Sequence, residues 1–122
     1  MAFQEWPAYG EALGSWSATE HIRIRTKTLQ FKAIWGVPSQ RGNVPAVYRL
    51  DELAKRPGEW VLREIRAMGD KVRCVFIDAS PYGSWWVHAF PKKRAREGRE
   101  VERAIREAEK LWLTLRGKTA GE

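Results

Sequence analysis

The spacing of apolar and polar residues predicts most of the secondary structure. From His21 to Thr28 apolar and polar positions alternate, and several of these residues are β-branched, which favours a strand. The stretch from Leu29 to Trp35 fits either an extension of this strand or a helix, because its periodicity does not separate the two. Residues 1–19 mix aromatic residues with Pro and Gly, and we expect an irregular N-terminal arm there.

A short helix is predicted after a loop. The segment from Gly36 to Asn43 holds Gly, Pro and polar residues, which are typical of a loop. Asn43 fits the cap of a helix, and Pro45 fits its first turn, where the missing N–H of proline costs little. Pro57-Gly58 would end this helix. Its apolar stripe consists of Val47, Leu50, Leu53 and Ala54.

Three consecutive strands are predicted in the second half of the chain. Alternation from Trp60 to Arg66 indicates the first strand, and a turn at Gly69-Asp70 leads into the second, Lys71 to Asp78. The strongly apolar character of the second strand indicates a central position. A loop from Ala79 to Gly83 then precedes the third strand, Ser84 to Phe90.

The last helix has the clearest pattern, because its apolar residues recur at steps of three and four. We expect it to pack on the sheet and to end at Gly117, with a frayed tail over 118–122. Together the elements predict an α+β fold, in which one domain over 20–117 holds a small antiparallel sheet packed by helices. This sheet would combine the three-stranded meander with the N-terminal strand. The helical stripe consists of Val101, Ala104, Ile105, Ala108, Leu111, Trp112 and Leu115.

Composition narrows the class of protein. Lys and Arg number 22 against 15 Asp and Glu, and the resulting net charge of +7 favours a polyanionic partner. The lone Cys74 cannot form an internal disulfide, and its apolar surroundings in the chain predict a buried thiol. No apolar stretch approaches the roughly 18 residues that span a membrane. The first residues lack a secretory signal, so we expect a reduced, cytoplasmic protein without a membrane partner.

Candidate chemistry concentrates at the end of the third strand of the meander. Alternation would place Trp86, His88 and Phe90 on one face of that strand, and cations follow at once. This face would be either a second packed layer or an exposed cleft floor. Because the unpaired arginines of the neighbouring strands, Arg73 and Arg63 or Arg66, would be costly in a fully buried sheet face, we expect it to be half exposed. Rings that stack on bases and cations that hold phosphates would suit single-stranded RNA. The cations that follow the strand are Lys92, Lys93, Arg94 and Arg96.

Cutting RNA would require little more than this. RNA carries its own nucleophile, the 2′-hydroxyl, and a general acid or base such as His88 contributes roughly 10²–10⁴-fold. On the second strand of the meander Arg73 shares a face with Val75, whereas Arg63 and Arg66 lie on opposite faces of the first, so only one of those two can join a given site. No metal or other cofactor is required for such chemistry.

Other functions fit the same residues. A lone His on an aromatic strand is often a packing residue, and a run of cations can be a solvated turn before a helix. Glu64 and Arg66 could form an ordinary cross-strand charge pair. The chain could therefore be a non-catalytic RNA- or DNA-binding module, or a phage effector whose basic helix and Trp-rich arm dock on a protein.

Four short motifs in order resemble the C-terminal part of the HigB/RelE-type toxins of toxin–antitoxin systems, especially their phage-derived branch. They fall between about Trp60 and Leu113, somewhat under half of the chain. The motifs are Leu62-Arg63-Glu64-Ile65-Arg66, Arg73 to Ile77, His88-Ala89-Phe90-Pro91-Lys92-Lys93, and Arg99-Glu100-Val101-Glu102-Arg103-Ala104.

The resemblance implies an antiparallel sheet with helices against one face. It also implies a metal-independent endoribonuclease that cuts mRNA, typically in the decoding site of the ribosome, and a cognate antitoxin, often a helix-turn-helix protein. By position, Arg66 and Arg73 would bind the scissile phosphate. Lys92 and Lys93 would hold RNA backbone, with a share in proton transfer for Lys93, and His88 would be the acid or base, or would stack on a base. The RNA-binding surface would include Arg63, Trp86, Phe90, Arg94 and Arg96.

Overall fold

The computed structural model describes residues 3–79, 81–92 and 97–120, the last three of these by backbone only. These described residues form three α-helices and five strands, with two 3₁₀ turns at Pro38–Asn43 and Ala46–Tyr48. In chain order these elements are β1 (Phe3–Glu5), α1 (Pro7–Leu13), α2 (Ala18–Trp35), β2 (Asp51–Arg56), β3 (Trp60–Ala67), β4 (Val72–Asp78), β5 (Ser84–Pro91) and α3 (Glu97–Ala120).

The strands form one sheet in the order β1-β5-β4-β3-β2. Neighbours from β2 to β5 are antiparallel, as expected for consecutive strands joined by short turns. β1 instead runs parallel to β5, so the sheet is mixed rather than purely antiparallel. The α+β class and the three-strand meander are confirmed, and β4 has the predicted central position.

Helices cover both faces of the sheet, whereas the resemblance implied one covered face. α1 and α2 pack on one side, which we call the α2 face, around an aromatic core that includes Phe31, Phe76 and Trp86. α3 packs on the other side, the α3 face, and its predicted apolar stripe provides Ala104, Ala108 and Leu111. Cys74 is buried on the α2 face as predicted.

The strand predicted from His21 to Thr28 is wrong, because this segment belongs to the 18-residue helix α2. Its first turn closes a capping box between Ser17 and Glu20, whose side chains each accept a hydrogen bond from the other residue's backbone N–H. The alternation arises because Ile22 points outward with 67% of its surface exposed, while Ile24 is buried. The residues that face the sheet are spaced by three or four positions: Ile24, Thr28, Phe31 and Trp35.

The helix predicted after Asn43 is also wrong. The chain makes a 3₁₀ turn at Ala46–Tyr48, and Arg49 then adopts the left-handed conformation at φ 52° and ψ 41°, which ends any helical path. β2 follows at once and pairs with β3. The loop predicted from Gly36 to Asn43 is largely the 3₁₀ turn Pro38–Asn43.

A β-bulge changes the faces of β5. Phe76 pairs with Trp86 while Val75 pairs with His88, so Val87 is an extra residue between them. The predicted common face is therefore wrong: Trp86 lies on the α2 face, whereas Phe90 lies on the α3 face.

The two ends of the chain are more regular than expected. The segment predicted as an irregular arm contains β1, which is one of the two edge strands of the sheet, and α1, whose Tyr9 and Leu13 are buried. At the other end α3 continues past Gly117 to Ala120 instead of fraying from Lys118. None of the described helices is both long and apolar enough to cross a membrane.

Candidate functional site

Charged residues meet on the α3 face at one end of the sheet. Strand pairing sets them in two adjacent cross-strand rows, one of Arg66, Arg73 and Phe90 and the next of Glu64, Val75 and His88. Neighbouring strands lie about 4.8 Å apart, so each row spans roughly 10 Å. The first turn of α3 lies over these rows with Glu97 and Glu100.

Arg73 lies between two carboxylates. Its Nη1 donates a hydrogen bond of 2.8 Å to Oε1 of Glu64, and its Nη2 lies 3.2 Å from Oε1 of Glu97. Arg66 is directly opposite Arg73 in the β3–β4 pairing, an arrangement that would be repulsive without the Glu64 carboxylate beside both. The predicted phosphate ligands are thus brought together, but Arg73 is already paired.

Burial is the main influence on the protonation of Glu64, whose side chain is 1% exposed. Desolvation raises the pKa of its carboxyl group, and the charges of Arg73 and Arg66 oppose that rise. Its Oε2 and the Nε atoms of both arginines are buried without a hydrogen-bond partner among the described residues. This end of the sheet therefore has two hydrogen-bond donors and one acceptor that the described side chains leave without a partner.

His88 forms a close pair with the helix above it. Its Nε2 lies 2.6 Å from Oε2 of Glu100. Burial lowers the pKa of His88, and the hydrogen bond to Glu100 partly opposes this effect. A carboxylate can only accept, so the favoured neutral imidazole donates from Nε2 and keeps Nδ1 as a base.

This pair lies beside a cleft of about 300 Å³, which we call the histidine cleft. α1 forms one wall, β5 the floor and α3 the other wall. The carboxylate of Glu100 lies between His88 and Arg103. Its Oε2 contacts His88, and its Oε1 lies 4.0 Å from Nη1 of Arg103. The residues that line the cleft are Glu11, Ala12, Ser15, His88, Ala89, Phe90, Pro91, Glu100 and Arg103.

Other predicted site residues are not part of this arrangement. Arg63 lies on the α2 face, where its Nε donates to Asp78 at 2.9 Å, so the separation of Arg63 from Arg66 is confirmed. The predicted half-exposed aromatic face is wrong: His88 is buried, and Trp86 and Phe90 are buried in the two cores, so neither ring is exposed for base stacking. Lys92 is exposed, next to the end of β5. Lys93, Arg94 and Arg96 lie outside the described residues.

Sequence reasoning assigned no role to Glu97, Glu100 or Arg103. A signal was available, because the stripe of α3 extends backwards from Ala104 by four residues to Glu100 and by three more to Glu97. A carboxylate on the buried side of an amphipathic helix needs a partner, and cations or His on the sheet supply it here.

Within the described ranges, no three His, Cys, Asp or Glu side chains gather as a metal site would require. Comparisons with protein-family models, curated proteins and solved structures gave no match. A neutral imidazole oriented by a carboxylate, with a guanidinium beside an open cleft, can take up a proton and stabilise an anion.

Proposed function

We propose that this chain is a toxin-type endoribonuclease that cleaves mRNA without a metal ion. The observation that supports it is the His88–Glu100 pair at the histidine cleft, with Arg103 in the same wall. An oriented base beside an open, cation-bearing cleft provides what attack by an RNA 2′-hydroxyl needs.

The proposed reaction uses the 2′-hydroxyl as nucleophile. Nδ1 of His88 takes the proton, the 2′-oxygen bonds to the adjacent phosphorus, and the bond to the 5′-oxygen breaks. The departing 5′-oxygen takes a proton from water, and the hydroxide so formed takes the proton from His88. The products are a 2′,3′-cyclic phosphate and a 5′-hydroxyl, and His88 is neutral again. Glu100 holds the imidazole and stabilises its positive charge, while Arg103 neutralises charge on the phosphate.

Arg73 would contribute through an exchange of partners. A phosphate that approached its guanidinium would replace Glu97, which is partly exposed, while Glu64 stays buried beneath. Arg66, Lys92 and Lys93 keep their predicted roles as ligands of RNA phosphates in this proposal, and Lys93 its share in proton transfer.

The biological setting rests on the resemblance to HigB/RelE-type toxins. We propose that the substrate is mRNA on the ribosome and that a cognate helix-turn-helix antitoxin neutralises the enzyme. The net charge of +7 suits a ribosomal partner, which is rich in RNA phosphate.

The decisive test is cleavage of labelled RNA in the presence of EDTA, with free RNA and with mRNA on ribosomes. We expect products that end in a 2′,3′-cyclic phosphate, and a rate about 10²–10⁴-fold lower for His88→Gln. His21→Gln is the matched control, because His21 lies on α2, away from the histidine cleft. Intact RNA in both assays with the wild-type protein would overturn the proposal.

A non-catalytic RNA-binding protein is the second candidate, and the pairing of Arg73 with two carboxylates favours it. Such a protein would bind RNA with a steep dependence on salt and leave it uncut. The same cleavage assay separates the two candidates.

A further inference from the structure

A second cleft lies around the connection between α2 and β2. Its volume is about 530 Å³, and its walls come from the two 3₁₀ turns, the start of β2 and the end of β3. Three arginines line it, Arg41, Arg49 and Arg66, and we call it the arginine cleft. The remaining lining residues are Gly42, Val44, Pro45, Ala46, Leu50 and Asp51.

Side-chain contacts hold one of these arginines, and the backbone conformation places the other two. Nε of Arg41 donates to the carbonyl of Trp35 at 2.9 Å, and its guanidinium stacks on the Trp35 ring at 4.8 Å. Arg49 occupies a left-handed conformation that is unfavourable for a residue with a side chain. Arg66 projects from the regular strand β3, so its position follows from the sheet.

The charge of the arginine cleft is mostly uncompensated by its own walls. Of the described residues that line the cleft, Asp51 alone is acidic, and its carboxylate accepts the backbone N–H of Glu52. Asp70 reaches Arg66 only at 3.7 Å. The buried Nε of Arg66 has no partner within the described part of the chain. An anionic ligand with several oxygens would match this set of donors.

One cross-strand row links the arginine cleft to the site around His88. Arg66 lines this cleft and starts the cross-strand row that passes through Arg73 to Phe90, which lines the histidine cleft. The two clefts thus lie at opposite ends of one row that spans roughly 10 Å. A flexible polyanion that passes along this end of the sheet, outside the first turn of α3, would contact both.

We propose that the arginine cleft binds the phosphate backbone of the RNA strand beyond the scissile phosphate, with Arg41 and Arg49 as its ligands and Arg66 at the boundary between the clefts. This inference rests on the proposed function, since it takes the histidine cleft as the place of cleavage. Arg41 and Arg49 would act as positioning residues, which set where the strand lies rather than how it is cut.

The test measures binding of a 2′-O-methyl oligoribonucleotide, which has no free 2′-hydroxyl and stays intact. The variant is Arg41→Gln with Arg49→Asn, because Asn tolerates the left-handed conformation. Arg106→Gln with Arg116→Asn is the matched control; it removes the same charge from exposed positions on α3. Circular dichroism and thermal unfolding check folding, and Arg49→Asn alone replaces the double variant if that is unfolded.

Two lost phosphate contacts should lower the slope of log affinity against log salt by about 1.4, since each contact on a single strand contributes about 0.7. At 0.1 M salt this corresponds to about 25-fold weaker binding, if the electrostatic contribution vanishes at 1 M. The control should change far less. Equal losses in the two double variants would show a general charge effect and overturn the inference.

Cleavage, measured separately, distinguishes the two proposals. If wild-type protein cuts RNA and the Arg41/Arg49 variant binds and cuts like the control, the arginine cleft proposal fails alone. If the Arg41/Arg49 variant loses RNA binding but the wild-type protein leaves RNA intact on and off the ribosome, the endoribonuclease proposal fails alone. Absence of RNA binding by the wild-type protein overturns the arginine cleft.

Discussion

Nη1 of Arg73 lies 2.8 Å from Oε1 of Glu64, and the two residues come from adjacent strands in the middle of the sheet. The pair is nearly removed from solvent, so each charge depends on the other for compensation. Because Glu97 on α3 is the second partner of Arg73, the same guanidinium joins the sheet to the helix above it. Arg73 is therefore both a structural ion-pair partner and a proposed ligand of the RNA phosphate.

Arg73→Ala should destabilise the protein by about 3 kcal/mol or more, since it leaves the Glu64 charge buried and unpaired. The pKa of Glu64 is already raised by burial and would rise further without Arg73. A carboxyl group with a raised folded pKa is tolerated best when protonated. The penalty should therefore be largest near neutral pH and shrink as the pH falls toward the ordinary value of 4.5.

Urea denaturation of wild type and Arg73→Ala across this pH range measures the effect. Arg106→Ala, an exposed position on α3, is the control. Arg73→Leu with Glu64→Met removes both charges and should recover much of the lost stability. A penalty for Arg73→Ala that is unaffected by pH would contradict the burial of a charged Glu64.

Glu97→Gln should strengthen the binding of 2′-O-methyl RNA several-fold, because it removes a carboxylate that competes with phosphate for Arg73. The effect should be larger at low salt. Glu102→Gln, which removes one negative charge from an exposed position of the same helix, is the control. The same increase in both variants would indicate net charge alone.

The protein should become less stable in mild acid, because His88 is protonated more readily in the unfolded chain than in the folded protein. Burial lowers its folded pKa below the ordinary value of 6.5, so the unfolded chain takes up the proton first as the pH falls. Stability should then decrease below pH 6.5, by at most about 1.4 kcal/mol per pH unit, until the folded pKa is reached. His88→Gln should remove this part of the pH dependence, as measured by urea denaturation, and His21→Gln should keep it.

Ser17→Ala should cost about 1 kcal/mol of unfolding free energy, because it removes the N-cap of α2. Ser39→Ala, at an exposed position of the first 3₁₀ turn, should leave stability nearly unchanged. Chemical denaturation of both variants measures the difference. Equal stabilities would argue against the capping box between Ser17 and Glu20.

Local pattern was sufficient where one face of an element is consistently buried. Alternation over Trp60 to Arg66 identified a strand, and apolar steps of three and four residues identified α3, because each spacing fits only one kind of secondary structure. It failed in α2, where the exposed Ile22 sits two positions from the buried Ile24 and imitates a strand. It also missed β2, whose residues are exposed or only half-buried, so that pairing with β3 rather than a buried face of its own makes it a strand.

The sequence by itself determined the α+β class, the meander, the amphipathic last helix, the buried thiol and the opposite faces of Arg63 and Arg66. Only the tertiary structure decided the direction of β1, the bulge that turns Trp86 away from His88, and the partners of the charged residues. The reason is separation along the chain. The hydrogen bonds that hold Arg73 and His88 come from residues nine and twelve positions away, and α3 adds its carboxylates only when packed on the sheet.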